Sequence, residues 1–308
     1  HEPDDAAVVE VPPGKVVVHT VDYFRAFIDD AYVFGQISAN HSLSDLFAMG
    51  AEAQSALAIA TIPYGIESKV EDTVRQLMAG AMKVLEDAGA ALVGGHTSEG
   101  AELALGFSAH GLIDKDRILR KGGMMPGDRL ILTKALGTGT LFAADMQKKA
   151  KGRWIQDALK SMLLSNRVAA SLVYEHGATA CTDITGFGLL GHMVEMIRPS
   201  DVDVDIHMDR LPILDGAEET VEMGILSSLQ PANIRLRRAI RNPEDAVQSN
   251  RFPLVFDPQT SGGLLASVPA AQADTCVEAL HAAGFMAAAV VGEVKPESEH
   301  LEPVMLLN

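Results

Sequence analysis

A two-domain α/β fold, layered in the α+β manner, is predicted by three features of the sequence. The chain has 308 residues, enough for two cores of ordinary size. Strand-like runs rich in Val, Ile, Ala and Leu alternate with long helical patterns. A stretch bearing glycine, lysine and proline, Arg120–Asp128, interrupts the alternation and sets domains 1–122 and 123–308.

In the first domain, strands are predicted at Ala6–Val9, Lys15–Thr20, Ala56–Ile62, Ala90–Val93 and Glu102–Ile113. Phe34 to Met49 reads as a helix stopped by Gly50. From Val70 to Ala88, the residues Val70, Val74, Leu77, Met78, Ala81, Val84 and Leu85 recur at helical spacing, and Gly89 fits a C-terminal stop. The second domain opens with a strand at Arg129–Thr133. Helices follow at about Leu141–Lys149 and Trp154–Glu175, then a strand before Asp183, a helix from about Phe187, and the strand Val202–His207. The last third holds the apolar run Phe252–Phe256, a polar loop at Asp257–Gly263, Leu264–Val268, a helix near Ala271–Ala283 and Ala287–Val294.

Composition narrows the function classes. A hydrophobic content of 47% with 21% charged residues is that of a soluble globular protein. The net charge of -16 argues against a nucleic-acid partner, which needs a basic stripe to meet phosphates. Arg235, Arg237, Arg238 and Arg241 do cluster, and a solvated loop or helix end is the reading taken for them. No apolar run is long enough to span a membrane and no signal peptide is visible. The two cysteines, Cys181 and Cys276, lack metal-type spacing and suit a reducing cytoplasm, with Cys181 read as buried packing. A cytoplasmic location is therefore expected.

Carboxylates recur at loop and element ends: Asp4-Asp5, Asp22, Asp45 and Asp183. Each alone would be an ordinary cap or solvated residue. Asp45 stands out because its helix otherwise looks buried, and a buried carboxylate needs a partner. Asp183 is followed by the glycine-spaced Ile184-Thr185-Gly186-Phe187-Gly188 and an apolar helix pattern, a shape that brings backbone close to an anion. Gly94-Gly95-His96-Thr97 offers a glycine pair at a strand end, where amides can approach phosphate. Hard oxygen donors of this kind suit Mg²⁺ and its phosphate ligands. Leu132 to Gly139 looks like a phosphate loop but lacks the Walker spacing.

Taken in order, Asp-Asp-Ala-Ala-Val at 4–8, Ser-Asp-Leu-Phe-Ala-Met-Gly at 44–50, Gly-Gly-His-Thr at 94–97, Leu-Thr-Lys at 132–134, Thr-Asp-Ile-Thr-Gly-Phe-Gly-Leu-Leu-Gly-His at 182–192 and Asp-Pro-Gln-Thr-Ser-Gly-Gly-Leu-Leu at 257–265 resemble the selenophosphate synthetase (selenide, water dikinase) family over essentially the whole chain. The resemblance implies the two-domain ATP-binding fold of the aminoimidazole ribonucleotide synthetase-like superfamily and a homodimer formed through the first domain's sheet. It implies that ATP and selenide are converted to selenophosphate, AMP and phosphate. By motif position it gives Asp5, Asp22, Asp45 and Asp183 as Mg²⁺ ligands. Asp4, Asp22, Asp45, Gly95, His96 and Thr97 become nucleotide contacts, with Gly95 to Thr97 reaching the partner's nucleotide.

Three departures qualify the resemblance. The family's glycine-rich segment with a catalytic Cys or selenocysteine and a catalytic Lys has no counterpart here, so the chain is expected to be a fragment with no catalytic residue of its own, and Lys15 is not that lysine. His41 stands where many members have Asn, and Ala135 where many have Pro. The wording Thr-Val-Asp-Tyr-Phe-Arg-Ala-Phe resembles a synthetase domain fused behind a flavin-dependent oxidoreductase. The competing readings are another ATP-dependent synthetase or kinase of this fold, and a non-catalytic nucleotide-binding dimerisation domain.

Overall fold

The computed structural model describes residues 10–308; Asp4, Asp5 and the strand predicted at Ala6–Val9 lie outside them. The chain forms two compact units, 1–118 and 119–308.

Among the described residues the first unit is a four-stranded sheet with two helices. Its elements are β1 (Lys15–Arg25), α1 (Ala31–Ala48), β2 (Glu52–Pro63), α2 (Glu67–Ala88), β3 (Ala91–Gly100) and β4 (Ala104–Asp114). The strand order is β1-β4-β2-β3, antiparallel except for the parallel pair β2/β3, which α2 connects. Asp30 caps α1 by accepting from the Val33 amide at 2.9 Å, and Gly89 ends α2 in the left-handed conformation at φ 77°. The two helices cross at Gly35 and Gly80. A Cβ at Gly80 would overlap the Tyr32 carbonyl oxygen and one at Gly35 the Leu77 carbonyl oxygen, so the backbones themselves are in contact.

Two expectations are corrected here. The glycine pair of Gly94 to Thr97 does not stand at a strand end; it lies inside β3, which continues to Gly100. The cause is packing, since Gly95 lies against the β2 backbone and a Cβ there would collide with the Ala58 carbonyl oxygen. Asp22 does not follow a strand either, because β1 runs on to Arg25.

The second unit has a six-stranded sheet in the order β10-β7-β9-β5-β8-β6, comprising β5 (Arg129–Leu132), β6 (Ala180–Asp183), β7 (Val202–His207), β8 (Leu264–Val268), β9 (Ala289–Pro296) and β10 (Val304–Leu307). All neighbours are antiparallel except β10/β7. Its helices are α3 (Thr138–Met146), α4 (Gly152–Leu163), α5 (Arg167–Glu175), α6 (Gly188–Ile197), α7 (Ala217–Glu222), α8 (Gln230–Asn233), α9 (Pro243–Ala246) and α10 (Ala270–Ala282). The core lies between α6, with Leu189, Leu190 and Met193, the 3₁₀ turn at Phe252–Phe256, and inward residues such as Leu130, Leu132, Val204, Leu265 and Val291. Cys181 and Cys276 are both buried thiols.

The single helix predicted from Trp154 to Glu175 is broken into α4 and α5. Leu164 turns extended at the break and its carbonyl accepts from Lys134 Nζ, while Asn166 donates to the Gly262 carbonyl at 2.8 Å. Long-range hydrogen bonds therefore override a continuous helical pattern. Among the described residues no helix is long and apolar enough to cross a membrane.

Candidate functional site

In the first unit, two periodicities bring four polar side chains together. Alternation along β1 puts Val18, Thr20, Asp22 and Phe24 on the less exposed face and leaves Val21 and Tyr23 exposed. On α1, His41 and Asp45 are four residues apart and so share one face. Thr20 Oγ1 donates to Asp45 Oδ2 at 2.5 Å, and His41 Nε2 lies 3.8 Å from Asp22 Oδ1. The His41 ring meets Phe24 edge-on at 5.0 Å.

This part of α1 is unusual for a helix interior. Asn40, His41, Ser42 and Ser44 are all buried, although each costs free energy to remove from water. The Asp22 carboxyl is pushed up to about 7, first by burial and second by the nearby Asp45 charge. Two carboxylates that repel one another in a partly dry site would be relieved by a cation. Their hard oxygens are the donor type that Mg²⁺ takes.

His96 and Thr97 are exposed, together with Gly95, on β3 at the edge of the sheet. Asp4 and Asp5 are outside the described residues. Among the described residues no group of three or more His, Cys, Asp or Glu side chains is arranged to hold a metal.

In the second unit, Asp183 is the buried last residue of β6. Lys134 lies beside it. The lysine amine is fully enclosed and donates to the carbonyls of Leu164 at 2.5 Å and Ser261 at 3.1 Å. Burial lowers the Lys134 pKa to about 7, and the Asp183 charge only partly offsets this. Burial, reinforced by Asp183, raises the Cys181 thiol beyond the reach of ordinary thiolate chemistry.

Around these groups the three motif segments of the second unit interlock. Gln259 Oε1 accepts from the amides of Gly137 and Thr138, each at 3.1 Å, and Asp257 Oδ2 accepts from the Gly139 amide at 3.0 Å. The Gln259 amide donates to the Thr185 carbonyl, and the Ile184 amide to the Gly263 carbonyl. Asn233 reaches the carbonyls of both Gly186 and Phe256. Gly188 has φ 69°, and a Cβ there would press on the Phe256 and Asp257 backbone, so only glycine fits. The Asp257 carboxyl is raised to about 7 by burial, against the hydrogen bonds it accepts from Gln259 and Gly139.

The segment at 257–263, which as an isolated turn says nothing, thus holds the loop that follows Asp183. Its Asp and Gln act on backbone amides, a use that their positions in the sequence do not reveal. The Lys134 amine is likewise hidden inside an incomplete phosphate-loop pattern.

Comparison with known proteins agrees with this architecture. Residues 3–113 match the AIR synthase related protein N-terminal domain, and residues 125–301 its C-terminal domain. Selenide, water dikinase from Geobacter metallireducens is 40% identical over 300 residues, spanning 96% of this chain and 85% of that protein. The enzyme of the same name from Pelobacter propionicus is 41% identical over 297 residues, spanning 96% and 84%. Among solved structures, hydrogenase maturation protein HypE in complex with ATP gives a TM-score of 0.75 at 18% identity, covering 98% of this chain and 84% of that one. Thiamine-monophosphate kinase from Stenotrophomonas maltophilia gives 0.70 at 22%, covering 98% and 89%. The two structures speak for the fold, and the two dikinases for the family. The chain belongs to the selenide, water dikinase family of AIR synthase related proteins.

Proposed function

We propose that this chain binds ATP with Mg²⁺ and serves the formation of selenophosphate from selenide, with AMP and phosphate as the other products. Its relatives' name supplies the substrate class. The observation that carries the site is the pairing of Asp22 on β1 with Asp45 on α1 in a half-buried, mutually repelling arrangement. Asp22 and Asp45, with Asp5, would hold metal in the first unit, Asp183 would bind metal in the second, and Asp4, Gly95, His96 and Thr97 would contact nucleotide. When bound, Mg²⁺ neutralises phosphate charge and favours phosphoryl transfer. Thr20 fixes one Asp45 oxygen by donating to it, and the Lys134 amine stands beside Asp183. The exposed edge strand β3 supports a homodimer in which Gly95 to Thr97 meet the nucleotide of a second copy.

Calorimetry with Mg²⁺ and a non-hydrolysable ATP analogue tests the site. Binding should be Mg²⁺-dependent, and Asp45→Asn should weaken it at least about 100-fold by removing one charged ligand, roughly 2.7 kcal/mol. Unchanged binding by the variant would remove Asp45 from the site. A substrate panel tests the reaction: ATP turnover to ADP on another small molecule, independent of selenide, would favour a different kinase of this fold.

A further inference from the structure

The hydroxyl of Thr185 is gripped more firmly than its loop requires. The loop backbone is already held. The Ile184 amide donates to the Gly263 carbonyl at 2.8 Å, the Thr185 carbonyl accepts from the Gly188 and Gln259 amides at 3.0 Å each, and Asn233 donates to the Gly186 carbonyl at 2.9 Å. Yet α6 also buries an imidazole to reach the side chain. His192 is 5% exposed, its Nε2 lies 3.1 Å from Thr185 Oγ1, and the Phe187 ring lies against it. Thr185 itself is half-buried. On the far side of the ring, Nδ1 faces Glu195 Oε2 at 3.3 Å, and Lys121 donates to that same oxygen at 2.5 Å. Among the described residues Nδ1 has no better-aligned partner. An ionised carboxylate only accepts, so Nδ1 carries the ring proton and Nε2 is bare. The Thr185 hydroxyl therefore donates to Nε2, which leaves the lone pairs of its oxygen free.

Hydroxyl, imidazole and carboxylate in this order are an activated hydroxyl, its base and the group that orients the base. The proposed reaction has a use for them. Converting ATP to AMP cleaves two phosphoanhydride bonds. Selenide takes one phosphoryl group, and water takes the other to give phosphate. That water must lose a proton, and the residues assigned above hold metal and nucleotide, which leaves the proton without a taker. We propose that Thr185, His192 and Glu195 are the proton relay of this hydrolytic half-reaction. Thr185 is the catalytic residue that touches the water, and His192 and Glu195 act through it. The inference rests on the proposed function, which puts Asp183 at the metal and its phosphates; Thr185 stands two residues further along the chain. In the step, a water lone pair forms the new P–O bond while the phosphoanhydride P–O bond breaks and its electron pair leaves on AMP. The water's proton passes to Thr185 Oγ1 as the Thr185 proton moves to Nε2, and Glu195 faces the imidazolium that results.

ADP with Mg²⁺ is the probe, because it isolates this half-reaction and needs no selenide. Phosphate release is followed in ¹⁸O-labelled water, and ADP binding is measured on the same protein by calorimetry. The wild-type chain should release AMP and labelled phosphate. Thr185→Val, which keeps the shape and removes the hydroxyl, should cut the rate about 100-fold or more while leaving ADP affinity within about threefold. His192→Gln should do the same, and Thr185→Ser, which restores the hydroxyl, should recover most of the rate. A merely structural role would lower binding and rate together. Bound ADP that the wild-type chain does not hydrolyse overturns the proposal, as does a rate that Thr185→Val leaves unchanged. If ADP does not bind to the wild-type chain, the nucleotide-site reading itself fails and this inference falls with it.

Discussion

The substitution Lys134→Met should change how the stability of this protein responds to pH, not merely lower it. The amine is enclosed, donates to two main-chain carbonyls, and has its pKa lowered from the usual 10.5 to about 7, mainly by burial. For a lysine whose folded pKa lies below its unfolded one, the unfolded chain binds more protons throughout the interval between them. Stability therefore rises with pH across that interval, from about 7 to 10.5. One proton of difference is worth about 1.4 kcal/mol for each pH step of one, and the proton is only half released at pH 7, so the gain between pH 7 and pH 9 comes to about 2 kcal/mol. Methionine has a similar length and no titrating group, so the variant isolates this contribution. It also leaves the Leu164 and Ser261 carbonyls without their donor, a loss of about 1–3 kcal/mol for each that does not depend on pH. Urea unfolding of both proteins at pH 7, 8 and 9 measures the effect. The wild type should gain about 2 kcal/mol on the variant over this range. Parallel curves would refute the reasoning, because they would mean that the enclosed amine titrates normally.

Asp257 should behave in the opposite sense. Its carboxyl is raised from 3.8 to about 7, so the folded chain holds the extra proton and stability falls as pH rises through that window. Between pH 5 and pH 7 the wild type should lose about 2 kcal/mol relative to Asp257→Asn, again by urea unfolding. Gly80→Ala should lower the melting temperature of the first unit and cost about 2–3 kcal/mol, because the new methyl group meets the Tyr32 carbonyl of α1. A neutral effect would show that the helices can separate freely. Arg241→Met should cost about 3–5 kcal/mol in denaturant melts by leaving Asp203, buried and bonded to it at 2.6 Å, without its counter-charge. A loss under about 1 kcal/mol would mark that pair as solvated.

Legibility in the sequence follows the range of the forces involved. The helix ending at Gly89 and the strands Val202–His207 and Leu264–Val268 are readable because local periodicity and a glycine stop determine them. The break between α4 and α5 is not, since no glycine or proline marks it. It depends on Lys134 and Gly262, which are 30 and 96 residues away from their partners. The short strand β10 is missing from the pattern reading; its parallel pairing sets Val304 against Val204 of β7, far away in sequence. At the site, Asp22 and Asp45 are visible as carboxylates and motif positions. That His41 faces Asp22 and Thr20 holds Asp45 depends on how α1 lies on β1, which spacing alone does not report. The four-arginine cluster reads as a solvated end. Arg235, Arg237 and Arg238 are indeed exposed, but Arg241 is half-buried and pairs with the buried Asp203.

The interlocking of segments 132–140, 182–188 and 257–263 has a consequence for synthesis on the ribosome. Strand β5 pairs only with β8 and β9, and the loop after Asp183 takes its supports from Gln259 and Gly263. Until residues beyond 260 have emerged, the early part of the second unit lacks every strand neighbour that β5 will have, and Lys134 lacks one of its acceptors. The first unit, whose strand pairs among the described residues all close within residues 15–114, needs no such wait. The chain should therefore be born with its first unit folded and a long apolar stretch of the second still open, which makes the second unit the part most dependent on chaperones and most prone to aggregation during translation.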